Sequence, residues 1–138
     1  MPYVRVWIYL IWSTKNRQPF LEKEIRSRVL DHIKENAPKK DIHVDAIGGY
    51  LDHVHVLISL GRGQTIFKIM QLLKGESSHW VNKNSLIRSK FEWQDDYFAA
   101  SVSESGVEEV RRYIQRQVDH HQKNSFIKEY EEFVGSSE

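Results

Sequence analysis

Two histidines, His53 and His55, are separated by a single valine within a run of strand-forming residues. Side chains two positions apart on a β-strand point to the same side of the sheet, so the two imidazoles are neighbours. Imidazole nitrogen is a common ligand of divalent metal ions, and two adjacent rings can share one ion. The triplet therefore predicts a metal site, although the same pattern also arises by chance on a half-exposed polar strand face.

A tyrosine and a glutamine near the carboxy terminus form a second candidate pair. Tyr113 and Gln117 are four positions apart in a segment with helical periodicity, so they lie on one helix face beside its apolar stripe. The phenol of Tyr113 can act as a nucleophile, and the side-chain oxygen of Gln117 can serve as a third metal ligand. Taken singly, each is also compatible with an ordinary surface helix. The two pairs together favour an active site.

The hydrophobic pattern predicts the elements that must position these pairs. Strands are predicted at 3–14, 42–47, 51–60 and 97–103, with a Gly48-Gly49 hairpin between the second and third. Helices are predicted around Val29, over 65–81, and from the capping box Ser105-x-x-Glu108. The order predicts an α+β fold: a ferredoxin-like (RRM-like) βαββαβ antiparallel sheet with an additional C-terminal catalytic helix. A single domain is expected over 1–138, with a frayed tail at about 135–138.

Alternation along the strands assigns one sheet face to a core and leaves the other open. The opening strand has a wholly apolar alternate set, which predicts the helix-covered face: Val4, Val6, Ile8, Leu10 and Trp12. The two histidines belong to the opposite face, together with the aromatic residues Trp7 and Tyr9. The last helix follows the last strand, so it can fold back across this open face and bring Tyr113 to the histidines.

The composition is that of an ordinary globular domain, with an uneven distribution of charge. The chain has 138 residues, a formal net charge of +1 and no cysteine, which excludes a disulfide framework and a zinc site built on sulfur. Residues 62–90 carry six basic side chains against Glu76 alone. This segment is either a solvated helix face or a surface for a polyanion. No apolar run approaches the roughly 20 residues that cross a bilayer. No leader is recognisable, so we expect no membrane partner and a cytoplasmic location.

The sequence resembles the single-tyrosine HUH transposases of bacterial and archaeal insertion sequences, the family that includes the REP-associated tyrosine transposases. HUH denotes His-hydrophobic-His, here His53-Val54-His55 within 52–58. Three further segments carry the resemblance: the opening strand and basic turn at 6–17, the last strand at 93–103, and the tyrosine helix at 113–117. The match runs in order along nearly the whole chain.

The resemblance implies a reaction. His53, His55 and Gln117 would hold a divalent metal ion, Mg²⁺ or Mn²⁺, that polarises a scissile phosphate. Tyr113 would attack that phosphate, forming a 5′-phosphotyrosine and freeing a 3′-hydroxyl. The implied substrate is single-stranded DNA with hairpins near the ends of the element.

Assembly and DNA contacts are expected from the same resemblance. Family members are dimers, and Trp7 and Tyr9 suit a contact between protomers of a homodimer. Trp80 fits either base stacking or the core. Six basic residues are candidates for contacts with the DNA backbone: Lys15, Arg17, Arg62, Lys68, Lys74 and Lys83.

Two alternative functions stay open at this point. A non-catalytic or degenerate RRM-like nucleic-acid-binding protein would use the same scaffold, with stacking aromatics on its central strands. Another HUH endonuclease, a replication initiator or relaxase, would share the histidine pair, usually in a longer chain.

Overall fold

The computed structural model of the chain describes residues 4–116 and has the predicted α+β, ferredoxin-like order of elements. The helices and strands are β1 (Val6–Ser13), α1 (Lys23–Asn36), β2 (His43–Gly49), β3 (His53–Leu60), α2 (Ile66–Lys83), β4 (Phe98–Val102) and α3 (Val107–Gln115). No helix among the described residues is long and apolar enough to span a membrane.

The four strands form one sheet in the order β2-β3-β1-β4, with every neighbouring pair antiparallel. The two central strands are β3 and β1. Their register places Ser13 opposite His53 and Ile11 opposite His55. The histidine pair therefore lies at the start of β3, beside the end of β1, and the central position of both strands removes the pair from the sheet edges.

Each face of the sheet is covered by helices, and each cover forms its own apolar cluster. On one face, α1 and α2 pack over alternate residues of the central strands, among them Leu10 and Val56, and α2 contributes Met70 to the cluster. On the other face, α3 packs over Trp7, Tyr9, Ile11, Ala46 and Leu57 through Val107, Val110 and Ile114. The last helix thus folds back across the face that carries the histidines, as the sequence predicted.

The aromatic pair predicted to contact a second protomer is instead enclosed within the chain. Trp7 and Tyr9 are buried beneath α3, and the indole nitrogen of Trp7 donates a hydrogen bond to Glu104. A residue covered in this way offers no exposed surface for a partner. The prediction that Val4 and Val6 belong to the helix-covered face is wrong: both side chains are exposed, and Val4 lies before the first residue of β1.

The hairpin between β2 and β3 turns later than the Gly48-Gly49 pair predicted. Both glycines belong to β2, and the turn is made by residues 50–52. A Cβ at Gly48 would lie 2.7 Å from the carbonyl oxygen of Ile114 and 3.0 Å from its Cγ2. The missing side chain lets α3 approach the sheet, so Gly48 serves helix packing and not the turn.

Substitution of Gly48 by alanine is expected to lower the free energy of unfolding by about 1–3 kcal/mol, because α3 must move away from the sheet. Urea denaturation measures this change. Gly75→Ala is the matched control: Gly75 lies inside α2, where a Cβ meets no atom within 4 Å beyond its own turn of helix. That substitution should stabilise the chain by about 0.5–1 kcal/mol. A Gly48→Ala protein as stable as the wild type would show that α3 does not depend on this close approach.

The start of α3 is also shifted from its predicted capping box. The hydroxyl of Ser103 accepts a hydrogen bond from the backbone N–H of Gly106, and a 3₁₀ turn over Glu104–Gly106 leads into α3 at Val107. Ser105 therefore does not cap the helix. Between α2 and β4, Phe91 and Trp93 are buried in the helix-side core.

Candidate active site

His53 and His55 lie side by side on β3, and both are buried, with 1% and 0% of their surfaces exposed. Their ring centroids are 4.8 Å apart, and the ring planes meet at 66°. This is the adjacency that the strand pattern predicted. The burial contradicts the alternative of a half-exposed polar face, because such a face would leave the imidazoles in contact with water.

The imidazole of His53 is held by the carboxylate that precedes it in the sequence. Nδ1 of His53 donates to Oδ1 of Asp52 at 2.6 Å, and Nε of Arg17 donates to Oδ2 of the same carboxylate at 3.0 Å. Burial alone would raise the pKa of the Asp52 carboxyl. The hydrogen bond and charge of His53, followed by those of Arg17, outweigh it and hold this pKa below its ordinary value. Asp52 is therefore an ionised acceptor for both partners.

The imidazole of His55 is held from the neighbouring strand. Its Nδ1 lies 2.5 Å from the hydroxyl oxygen of Tyr9, whose ring meets the imidazole edge-on at a centroid distance of 5.7 Å. Tyr9 is fully buried beneath α3. Both histidines thus have Nδ1 in a hydrogen bond, and this arrangement presents Nε2 as the nitrogen for an external ligand.

Tyr113 is brought to the same place by α3. Its half-buried ring lies 6.3 Å, centroid to centroid, from both Tyr9 and His55. Val110 and Ile114, on the same side of the helix, are buried against the sheet, so the position of the ring is set by the packing of α3. The structure therefore unites Tyr113, His53 and His55, which are 58 to 60 positions apart in the sequence, within a single chain.

A salt bridge fixes α3 to the outer part of the sheet. Nε of Arg111 donates to Oδ2 of Asp45 at 2.6 Å, and Nη2 donates to Oδ1 at 2.9 Å. Asp45 lies at the irregularity of β2 where its pairing with β3 shifts by one residue. The hydrogen bonds to Asp45 and Glu108 raise the pKa of the Arg111 guanidinium above its ordinary value, so the guanidinium stays charged. A bidentate pair of this kind fixes both the distance and the orientation of α3 relative to β2. Arg111 is two positions before Tyr113, so the contact acts close to the tyrosine.

The donor chemistry of the site fits a divalent metal ion. Within residues 4–116, no cluster of three or more His, Cys, Asp or Glu side chains is arranged to hold a metal ion. The predicted set contains only two such residues, and its third member, Gln117, lies outside the described residues. Two adjacent imidazoles with directed Nε2 atoms suit a transition-metal ion, whereas Mg²⁺ prefers oxygen ligands. Of the two expected ions, Mn²⁺ is the better match to the histidine pair.

The predicted DNA-contacting residues do not lie together. Lys15 and Arg17 follow β1 at the histidine end of the sheet, and Lys15 forms an ion pair with Glu92 at 3.1 Å. Arg62 and Lys68 lie beyond the other end of β3, seven residues or roughly 23 Å along the strand from His53. Lys83 is exposed in the last turn of α2. These contacts stay predictions, on two separate parts of the surface.

Two of the sequence candidates are engaged inside the chain. Nζ of Lys74 donates to the carbonyl oxygens of Gln94 and Asp95, at 2.5 and 2.9 Å, and its burial lowers the pKa of the ammonium. Trp80 packs partly against the helix-side core, and its ring stacks on His32 with centroids 4.1 Å apart. The core interpretation of Trp80 therefore describes its position better than base stacking.

Four residues of the site were missed by the sequence reasoning. Asp52 adjoins the first histidine, and a carboxylate in that position is a signal that could have been used. Tyr9 was placed on the correct face but was given to a dimer contact. Asp45 and Arg111 are 66 positions apart, and nothing in the sequence pairs them before the fold is known.

Comparison with known proteins gives one family and one curated relative. The family model described as "Transposase IS200 like" matches residues 3–117. The ISDra2 transposase TnpA of Deinococcus radiodurans is 28% identical over an alignment of 117 residues, which covers 80% of this chain and 83% of that protein. The range matched by the family model includes the histidine pair and the tyrosine helix.

Two solved structures share the fold. A transposase candidate from Deinococcus radiodurans R1 superposes with a TM-score of 0.68 and 24% identity, covering 85% of this chain and 95% of that one. A REP-associated tyrosine transposase bound to a REP hairpin superposes with a TM-score of 0.61 and 14% identity, covering 88% of this chain and 72% of that one. At these identities the likeness shows the fold.

Proposed function

Because the chain belongs to the IS200-like transposases, as the match over residues 3–117 shows, we propose that it cleaves and rejoins single-stranded DNA at the ends of an insertion sequence. The family expected from the histidine and tyrosine motifs is confirmed; the reaction is our proposal. One observation carries it: the ring of Tyr113 lies 6.3 Å from that of His55, above a buried histidine pair. A nucleophile beside a pair of metal-binding groups is an arrangement suited to phosphoryl transfer.

In the proposed reaction, the phenolic oxygen of Tyr113 attacks the phosphorus of the scissile phosphodiester. The bond from phosphorus to the 3′ oxygen breaks, and the 5′ phosphate remains on Tyr113. The phenol loses one proton and the departing 3′ oxygen gains one, so the step is balanced without a co-reactant. The energy of the phosphodiester is retained in the phosphotyrosine, and a 3′-hydroxyl can therefore reverse the step and join a new strand.

The buried histidines support the metal dependence that we propose. His53 and His55, with Gln117, would hold Mg²⁺ or Mn²⁺. When bound, such an ion supplies Lewis-acid polarisation of the phosphate oxygens. The chain itself contributes orientation: Asp52 and Tyr9 hold the two imidazoles, and α3 holds the tyrosine. Water is largely kept from the histidines by the cover of α3, which strengthens charge interactions at the site.

The proposed substrate is a DNA hairpin with adjoining single-stranded DNA. A REP-associated tyrosine transposase with the same fold is bound to a REP hairpin. We expect two exposed basic residues to contact the DNA backbone: Lys15, which follows β1 at the histidine end of the sheet, and Lys83, in the last turn of α2. We further propose a homodimer and, since the substrate is DNA, a cytoplasmic place of action. In the single chain Tyr113 already faces its own His55, so each protomer can assemble the described part of the site in cis.

The non-catalytic RRM-like alternative is disfavoured by the covered sheet. An RRM-like module stacks bases on exposed aromatics of its central strands. Here Trp7 and Tyr9 on β1 are buried under α3, and β3 presents buried histidines in the corresponding region. A binder of that type also has no use for a tyrosine held above the histidines.

The experiment that tests the proposed function is a search for a covalent protein–DNA adduct. Labelled single-stranded oligonucleotides from both flanks of the gene in its own genome, hairpins included, are incubated with the protein and Mn²⁺, and the mixture is separated under denaturing conditions. We expect a labelled protein band with at least one flank, and none in EDTA. An absence of adduct with every flanking oligonucleotide, from protein that is folded and binds Mn²⁺, would contradict the proposal.

Release of α3 from the sheet is expected to slow the reaction. In Arg111→Gln the bidentate contact with Asp45 is lost, and the displaced tyrosine should form adduct roughly 10–100-fold more slowly in single-turnover experiments. Arg112→Gln is the matched control, since Arg112 is the exposed neighbour on the same helix. Equal rates in the two variants would show that the salt bridge does not position Tyr113.

A further inference from the structure

A chain of three side chains runs from the surface to the first histidine of the site. Nε and Nη2 of Arg17 each lie 3.0 Å from Oδ2 of Asp52, and Oδ1 of Asp52 accepts the hydrogen bond from Nδ1 of His53 at 2.6 Å. The side chains of Arg17, Asp52 and His53 are 37%, 18% and 1% exposed. The carboxylate is thus bridged, with one oxygen for the guanidinium and the other for the imidazole.

The bridge determines which nitrogen of His53 carries a proton. An ionised carboxylate is only an acceptor, so Nδ1 carries a proton, and in the neutral imidazole the lone pair is then on Nε2. A neutral imidazole binds a metal ion through its lone pair. Hydrogen bonding of a ligating histidine to a carboxylate also fixes the ring plane and increases the basicity of the ligand.

The backbone of the turn that carries Arg17 is held in a conformation that favours this contact. Asn16 and Arg17 both have φ near +56°, in the left-handed region, which is unfavourable for a side chain such as arginine. The surrounding structure compensates: the N–H of Asn16 donates to the side chain of Gln94 at 3.0 Å, and the N–H of Thr14 donates to the carbonyl of Asp52 at 2.8 Å. Left-handed residues retained beside a candidate site point to a positional requirement there.

We propose that Arg17 is a positioning residue, which acts through Asp52 to fix the tautomer and the orientation of His53 for metal binding. The inference rests on the proposed function, because it gives His53 a metal ion to bind. It assigns the Arg17 guanidinium a role inside the chain, whereas the sequence predicted a contact with DNA. Within residues 4–116, the ammonium of Lys15, two residues earlier, pairs with Glu92 and not with Asp52 or the histidines.

The first test uses the metal-free protein and imidazole ¹⁵N NMR. In the wild type we expect His53 as the Nδ1–H tautomer. In Asp52→Ala and in Arg17→Gln the Nε2–H form should increase, whereas Lys15→Gln, which removes a nearby positive charge, should leave the spectrum unchanged. An unaltered His53 tautomer in Arg17→Gln would overturn the proposal, whatever reaction the protein catalyses.

The second test measures Mn²⁺ affinity by calorimetry, with folding checked by thermal unfolding. We expect Asp52→Ala to weaken Mn²⁺ binding about 10–100-fold, as loss of a carboxylate partner of a ligand does elsewhere. We expect the Mn²⁺ affinity of Arg17→Gln to fall by up to about tenfold, and that of Arg17→Lys to fall by less. Because Arg17 acts through Asp52, the double variant should bind no more weakly than Asp52→Ala alone.

The outcomes separate this inference from the proposed function. A wild type that binds no Mn²⁺ and forms no adduct contradicts the proposed function, and the NMR result still decides whether Arg17 orients His53. A second outcome would contradict the inference alone: the wild type and Arg17→Gln bind Mn²⁺ with the same affinity, and Arg17→Gln binds DNA more weakly in the absence of metal. In that case Arg17 is a backbone contact.

Discussion

Replacement of Tyr113 by phenylalanine is expected to reduce covalent attachment of DNA to background. The substitution removes one oxygen and leaves the ring, so the packing of α3 against Tyr9 and His55 is preserved. Removal of a nucleophile can lower turnover on the order of 10⁶-fold, because no other group takes over the attack. DNA binding should be within about twofold of the wild type, since only the hydroxyl is lost. Denaturing electrophoresis of the labelled DNA measures the adduct, and a gel-shift titration measures the affinity.

The matched control is Tyr9→Phe, because the chain has a second tyrosine next to the same histidine. Tyr9 is fully buried, and its hydroxyl is hydrogen-bonded to Nδ1 of His55. We expect this variant to keep the ability to form adduct at saturating Mn²⁺ and to bind the ion roughly tenfold more weakly. An adduct that survives Tyr113→Phe and disappears in Tyr9→Phe would mean that the nucleophile has been assigned to the wrong tyrosine.

Replacement of His55 by alanine is expected to abolish stabilisation of the fold by Mn²⁺. A ligand that binds only the folded chain raises the free energy of unfolding by about 2.7 kcal/mol at a concentration one hundred times its Kd. The wild type should show this increase and lose it in EDTA. His55→Ala leaves a cavity beside Tyr9 and lowers the metal-free stability by a few kcal/mol, so the comparison is the increment caused by Mn²⁺ within each protein.

His43→Ala is the control for this second prediction. His43 is exposed at the first residue of β2, two strands from Tyr9, and belongs to neither apolar cluster. Its removal should leave both the stability and the increment from Mn²⁺ unchanged. An equal increment in His55→Ala and in wild type would place the metal somewhere other than the histidine pair.

The elements of the fold could be predicted because local patterns encode them. Alternation in β1 and β3 identified their two faces, and the apolar periodicity over 65–81 identified α2, whose N-terminus is capped by the hydroxyl of Thr65. The histidine pair could be predicted for the same reason, since residues two apart on a strand must be neighbours. The packing of α3 over that face could be predicted because the helix directly follows the last strand of the sheet.

The errors arose where tertiary contacts override local signals. Gly48-Gly49 has the composition of a turn, but its absent side chain is needed where Ile114 approaches the strand. Ser105 fits a capping box, yet Ser103 is the residue whose hydroxyl reaches the first N–H. Trp7 was expected to contact a second protomer, but α3 of the same chain covers it. In each case the contact that determines the structure is made by a residue in a distant segment or in an adjoining turn.

The contacts that orient the site could not be read from the sequence at all. The salt bridge from Arg111 to Asp45 and the bridge from Arg17 through Asp52 join residues that are 66 and 35 positions apart. The chain has many charged residues, so the sequence alone does not indicate which of them form pairs. In the mechanism that we propose, these two contacts set the direction of Tyr113 and of His53.

The most direct test of the central claim is the identity of the residue that becomes joined to DNA. The adduct formed by the wild type with Mn²⁺ is digested with trypsin and nuclease, and the remaining nucleotide-bearing peptide is sequenced by tandem mass spectrometry. We expect a single modified residue, Tyr113, carrying the nucleotide through its 5′ phosphate. A nucleotide on any other residue, or attachment through a 3′ phosphate, would contradict the mechanism proposed for this chain.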